Sequence, residues 1–304
     1  MMASHWFVFL STLAVAGADF SPDNTAWNGS SYLATTAEES NVTLHLLDTL
    51  SWEAVTPDDV LLLIQPNTDI EAEPIVQFVK DGGHAVLAID GDSIAPLSQA
   101  LGYNRSKTGL IHNDYYENHM SFPVLQSKGN HFLWSNVDQI VLNHPSVIAT
   151  QDAVSGTPSW TPIIGFDDSN QHFAMEGKIG RGSMLLLSDA SVFINDMQTQ
   201  HHGTKQFVAN VFRMYCGGEA NVRCRILLVL PETNAVGKYR PRYGSEDDTL
   251  RTFFGVAVEQ LNLLAGRINM AWGQNRNARP VGWALILVLM GLVVAWMLRT
   301  PSLT

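Results

Sequence analysis

The sequence predicts an α/β fold: a mostly parallel sheet with flanking helices, extended by a long amphipathic helix and a C-terminal transmembrane helix. Three observations predict it. Short apolar runs alternate with segments of helical period, turn residues mark each change, and an uncharged apolar stretch lies near the end of the chain. With 46% hydrophobic and 15% charged residues among 304, the chain is not wholly disordered. Its 29 acidic and 18 basic residues give a net charge of -11, which excludes the basic nucleic-acid binders. Two cysteines make neither a disulfide-dense scaffold nor a four-ligand zinc site, so the core rests on apolar burial.

Taken in order, Trp6 to Val15 is a short apolar run, and Ala16-Gly17-Ala18 supplies the small residues of a cleavage site. Residues 1–18 are therefore expected to be a signal peptide. The segment before the run lacks lysine and arginine, which leaves an uncleaved anchor as the alternative. The main domain is expected over 19–230. Val60 to Ile64 is a continuous apolar strand stopped by Gln65-Pro66-Asn67. Ile75, Val76, Phe78 and Val79 then recur at helical spacing, with Thr68 and Glu71 paired as a capping box and Gly82-Gly83 as the stop. Ala85 to Ile89 is a second buried strand, and Asp90-Gly91-Asp92 turns the chain into a short helix through Ile94, Leu97 and Leu101, closed by Gly102. Strand, helix, strand, helix calls for parallel strands with right-handed crossovers.

Residues 103–171 are rich in turn formers, with antiparallel or edge strands at Gln139 to Leu142 and Val147 to Thr150. Ser183 to Ser188 is a buried strand opening into Asp189-Ala190-Ser191. A helix over Lys205 to Tyr215 buries Phe207, Val208, Val211 and Phe212, and Ile226 to Leu230 is the last strand of the domain. Residues 231–244, rich in Pro, Gly and basic side chains, read as a linker. From Ser245 a single apolar stripe, Leu250, Phe253, Phe254, Ala257, Val258, Leu261, Leu264, Ala265 and Ile268, predicts an amphipathic juxtamembrane helix over 245–275. It packs on its own domain, on a partner, or on the membrane surface. Val281 to Leu298 carries no charged side chain and as a helix rises roughly 27 Å, enough to span a bilayer. Trp283 and Trp296 lie near its ends, and residues 299–304 form a short tail. The expected topology is single-pass in the cell membrane, with the main domain extracytoplasmic.

The segment Asp59 to Gly102, the run Gly177-Lys178-Ile179-Gly180-Arg181-Gly182-Ser183-Met184-Leu185-Leu186-Leu187-Ser188-Asp189, the later Asn195 and the early Asn28-Gly29-Ser30-Ser31-Tyr32 together resemble the uncharacterised DUF4350 family. The resemblance covers Asn28 to Leu230. It implies a class I glutamine amidotransferase-like, flavodoxin-like sheet in a membrane-anchored protein, with MoxR-type ATPases and von Willebrand A-type membrane proteins as partners. It implies no reaction.

Cysteine-based amidotransferases hold their nucleophile on a Gly-flanked elbow between strand and helix, and no G-x-C-x-G or G-x-S-x-G occurs here. Cys216 and Cys224, in an exported chain, are expected to pair with each other across Gly217-Gly218. His112, Asp114, Glu117 and His119 lie close in sequence, and His201-His202 elsewhere, without the spacing that puts metal ligands on one helical face. No metal and no cofactor are expected. Gly177, Gly180 and Gly182 precede a strand, whereas phosphate-cradling glycines follow one, so they read as a turn.

Open α/β sheets bind ligands at the carboxyl ends of their strands, marked here by Gln65, Asn67, Asp90, Asp92, Ser188, Asp189 and Ser191. The same residue types also cap helices and form turns. The expected function is that of a non-catalytic module that binds a partner protein or small ligand at this rim. The alternative is a divergent hydrolase using Asp90, Asp92 or Asp189 as acid and base.

Overall fold

The computed structural model describes residues 19–67, 70–89, 95–150, 157–201, 203–216 and 224–241. The expected signal peptide, the amphipathic helix over 245–275, the segment 281–298 and the tail lie outside them, as do Asp90, Asp92 and His202. Among the described residues no helix is long and apolar enough to cross a membrane.

The chain enters through helix α1 (Ser31–Glu39), the edge strand β1 (Thr43–Leu46) and the short β2 (Thr49–Ser51). Next come β3 (Asp59–Ile64), α2 (Ala72–Lys80), β4 (His84–Ala88) and α3 (Ala95–Leu101), in the strand and helix alternation that the apolar runs predict. The middle holds β5 (Tyr103–Ser106), β6 (Val124–Gln126), β7 (Gln139–Val141), β8 (Val147–Thr150), β9 (Ser159–Gly165) and β10 (His172–Ile179). It closes with β11 (Gly182–Leu187), α4 (Asn195–Gln200), α5 (Thr204–Cys216), β12 (Arg225–Val229) and β13 (Asn234–Val236).

Nine strands form one sheet in the order β1-β12-β3-β4-β11-β10-β8-β5, with β9 also paired to β10. The first five run parallel; the others add antiparallel pairs. Numbered along the chain, the parallel strands stand in the order 1-5-2-3-4. This differs from the flavodoxin order 2-1-3-4-5, because the last strand inserts between the first and second instead of taking an edge.

Alternation along the strands sends side chains to two cores. Leu62, Ile64, Val86, Leu185, Leu187, Ile226 and Leu228 face α1 and α5, where Leu33, Ala37, Phe207, Val208, Val211 and Phe212 meet them. Leu61, Leu63, Ala85, Leu87, Met184, Leu186 and Val229 face α2 and α3, against Ile75, Phe78, Val79, Leu97 and Leu101. Strands with helices on both faces must be apolar throughout, which is why β3 and β11 are buried at every position.

Two local expectations are corrected. The helix after β3 begins at Ala72 with Glu71 at its cap position and no side-chain cap bond, so Glu71 does not act as the third helical residue of a capping box begun at Thr68. Pro74 is accommodated because it lies in the first turn, where N–H groups lack intrahelical acceptors. Gly177 lies inside β10, not in a turn; only Gly180 and Arg181 turn the chain between β10 and β11. Inside the stretch expected as a linker, Asn234–Val236 pairs in parallel with β2.

The glycine run owes its composition to packing. Gly180 has φ +61, and a side chain there would meet the Lys80 backbone at the end of α2; at Gly182 an added Cβ would lie 2.0 Å from the Gly83 carbonyl oxygen and 2.4 Å from that of Val79. The hairpin thus rides directly on the α2 terminus. Asp81 caps that terminus, an unfavourable place for an anion beside the helix dipole. Arg181 offsets it with Nη2 at 3.1 Å from the carboxylate, and the Tyr239 hydroxyl donates to the other carboxylate oxygen at 2.7 Å.

Candidate functional site

The register sets the carboxyl ends of β3, β4 and β11 side by side: Gln65 N donates to Ala88 O, and Ile89 N to Leu187 O. Gln65, Ser188 and Asp189 therefore reach one edge of the sheet, as the pattern of apolar strands with polar ends predicts. What they do there differs. Gln65 is half-buried with φ +46, and the half-buried Asn67 points its amide at the Thr233 carbonyl 3.5 Å away. Thr233 is itself buried, accepting from Leu230 N and donating to Leu47 O, both at 2.9 Å, so the β12 end of this edge is closed by a turn.

Ser188, Asp189 and Ser191 are buried, at 0%, 0% and 6% exposure. The Asp189 carboxylate accepts from Asn143 N at 2.6 Å and Ser191 N at 2.8 Å, which caps the 3-10 turn over Ala190–Phe193. It braces two backbone segments and presents no face to solvent. The Ser188 carbonyl accepts from Ser146 N and Oγ, while its own hydroxyl is buried without a hydrogen-bond partner among the described residues. Asn195, two turns on, uses its whole amide: Oδ1 accepts from Tyr32 N at 3.0 Å and Ser31 Oγ at 3.3 Å, and Nδ2 donates to the carbonyls of Asn24 and Ala26. It locks the entry turn to the first turn of α1.

The histidine and acid residues of the 112–119 region do not converge. His112 Nε2 donates to Val124 O at 2.9 Å and its Nδ1 lies 3.3 Å from Asp167. Asp114 accepts from Gln126, and His119 Nδ1 accepts from Ser121 N. Glu117 is exposed in the left-handed region at φ +51. His201 stands against the Tyr116 ring, centroids 4.8 Å apart, and burial lowers its pKa. No three potential ligands gather anywhere among the described residues.

Cys216 and Cys224 form a disulfide, S–S 1.99 Å and Cα–Cα 5.3 Å, which removes both thiols as nucleophiles. One pair escaped the sequence reading. At the amino ends of β4 and β11, His84 Nδ1 lies 3.1 Å from Ser183 Oγ and its ring stacks on Tyr215 at 4.9 Å. Burial lowers the His84 pKa and raises that of Tyr215. These residues are 99 positions apart and meet only because Ser183 is the register partner of His84, which no local pattern encodes. Ser183 is buried within a strand, not raised on the strand-to-helix elbow that presents an acyl-transfer nucleophile.

Two clefts open elsewhere. One, of about 330 Å³, lies among α1, α4 and α5; the other, of about 460 Å³, lies between α2 and the 235–239 segment, with Trp52, Pro74 and Tyr239 in its wall. None of the described strand-end residues lines either.

Among solved structures the chain is similar to the mmIFT52 N-terminal domain, at 12% identity and a TM-score of 0.41, over 54% of this chain and 80% of that one. It is also similar to beta-galactosidase from Bacillus circulans sp. alkalophilus, at 12% identity and a TM-score of 0.33, over 52% of this chain and 22% of that one. No curated protein sequence matches it. The profile of DUF4350, a domain of unknown function, matches residues 22–212. That match takes in more than half of the chain, from the turn before α1 to Phe212 in α5, and the protein belongs to the DUF4350 family.

Proposed function

We propose that the protein is a non-catalytic, membrane-anchored module of amidotransferase-like ancestry that binds a partner protein or small ligand outside the cell membrane. One observation carries the reading: the groups that hydrolytic chemistry would need are engaged in holding the fold. Asp189 is buried on two backbone amides and both sulfurs lie in a disulfide. A general base or nucleophile must reach the substrate within hydrogen-bond distance, and neither arrangement offers that. In this reading residues 281–298 anchor the chain, residues 1–18 direct its export, and MoxR-type ATPases or von Willebrand A-type proteins are the partner classes. The rim residues left for binding in this reading are the half-buried Gln65 and Asn67, together with Asp90 and Asp92, which lie outside the described residues. The hydrolase alternative has only Asp90 and Asp92 left to draw on.

The test is co-purification of the full chain from native membranes, with cross-linking, beside the Asp90→Asn/Asp92→Asn double variant. Recovery of a defined partner that the double variant loses is the expected result. Glutamine hydrolysis by the purified chain, abolished by Cys216→Ser or Cys224→Ser, would overturn the scaffold reading.

A further inference from the structure

The cleft among α1, α4 and α5 lies apart from every residue discussed as a rim. Its wall is polar and includes Ser40, Thr199, His201, Lys205, Gln206 and Arg213, with Ala209 as the one apolar side chain among the described residues that line it, so a hydrophobic ligand gains little there. At about 330 Å³ it suits a small molecule at the lower end of ligand-site sizes.

Three observations converge on it. Ser40 is only 9% exposed, and its hydroxyl has no hydrogen-bond partner among the described residues. Leaving such a group unpaired is unfavourable unless something in the cleft completes it. His201 Nδ1, on the same wall, is likewise buried and unpaired. The floor includes the start of α5, where Lys205 and Gln206 sit in the first turn of a 13-residue helix, the end at which N–H groups lack intrahelical acceptors.

The net charge of the described lining is positive. Lys205 pairs with Glu39 at 2.7 Å, which leaves Arg213 as the lining ion without a partner among the described residues. In a chain of net charge -11 a cationic cleft is a local inversion. We infer that this cleft binds a small oxyanion-bearing molecule, a phosphate or a carboxylate, held by Arg213, the Ser40 hydroxyl and the first turn of α5. This goes beyond the partner-binding reading and does not rest on it.

The test is isothermal titration of the purified full-length chain in detergent with inorganic phosphate and, separately, with glutarate, at ionic strength held constant by sodium chloride. Saturable binding of either anion is expected; phosphate alone assigns a phosphate ligand, glutarate alone a carboxylate. Arg213→Gln and Ser40→Ala should each weaken it about tenfold, the loss of one charge-assisted hydrogen bond. Lys178→Gln, an exposed residue outside the cleft, should leave it unchanged. Without ligand, Ser40→Ala should melt no lower than the wild type, because its hydroxyl is unpaired. The inference is overturned if neither anion saturates, if Arg213→Gln binds like the wild type, or if Ser40→Ala destabilises the unliganded protein.

Discussion

Replacing Asp189 by asparagine separates a bracing carboxylate from a ligand-binding one. The side chain is fully buried and accepts two backbone N–H bonds, 2.6 Å from Asn143 and 2.8 Å from Ser191. Asparagine keeps the shape but offers one acceptor oxygen, so one of the two amides must face an NH2 group. Hydrogen bonds to a charged group contribute about 1.5–3 kcal/mol each, and an unsatisfied buried donor costs about 1–3 kcal/mol. Keeping one bond in weakened, neutral form, Asp189→Asn should lose about 2–4 kcal/mol. For a domain of this size that lowers the melting temperature by roughly 5–12 °C. Urea unfolding followed by tryptophan fluorescence measures it, since Trp52 and Trp134 are buried reporters on opposite faces of the sheet. A change under about 0.5 kcal/mol would refute the bracing role, because surface-like substitutions fall in that range. If partner recovery were lost at the same time, the carboxylate would be a binding group after all.

Gly182→Ala should destabilise by about 3 kcal/mol or more, since its Cβ would strike two backbone carbonyls that cannot swing away; soluble, wild-type-like protein in thermal melts would contradict the packing account of the glycine run. Cys216→Ser with Cys224→Ser should lower stability by about 2.5 kcal/mol, the chain-entropy value for a bridge of sequence separation 8; reducing agent should reproduce the shift in the wild type and have no effect on the double variant. Burial lowers the pKa of His84, His131, His172 and His201 in the folded state. Below pH 6.5 the unfolded chain therefore takes up protons that the folded one refuses, and stability should be level above about pH 7.5 and fall as pH drops through 6.5 toward 5. A melting temperature that is constant from pH 5 to 7.5 would show that these rings are not held neutral.

The elements most legible in the sequence were those whose burial is two-sided. The runs Val60 to Ile64 and Met184 to Leu187 permit no environment but the middle of a covered sheet, and Phe207, Val208, Val211 and Phe212 repeat at a period only a helix satisfies. The hairpin β9–β10 was not legible. Ser159–Gly165 is mostly exposed, and its alternation is broken by Pro162 and by register shifts against β10. Strand order was equally hidden, since nothing near Arg225 announces that it will pair with Asp59, 166 positions earlier, through two bonds of 2.6 and 2.8 Å. At the site, residue type located the strand ends but not their burial. Asp189 followed by a small residue and serine reads the same whether the carboxylate faces water or caps the turn it starts. The cleft beside α5 had no sequence signal, because Ser40 and Arg213 come from helices that meet only in the folded chain.

The path by which the described chain ends has a mechanical consequence. Beyond β12 it is fastened by β13, three residues paired with β2, then by Tyr239, whose hydroxyl donates to Asp81 and whose ring packs on Trp52 and Phe78, and then by Arg240 against Glu53. Tension applied from the C-terminal side would reach the Arg240–Glu53 pair first, then Tyr239, then the three-residue ribbon, and only afterwards β12, which pairs with β3 over 225–229 and with β1 over 225–228. The fold thus contains a weak fastening in series with a strong one. A pull would free about a dozen residues of slack before it threatened the sheet, and the Asp81 carboxylate, released from Tyr239, would be left to Arg181 alone of the two partners described for it.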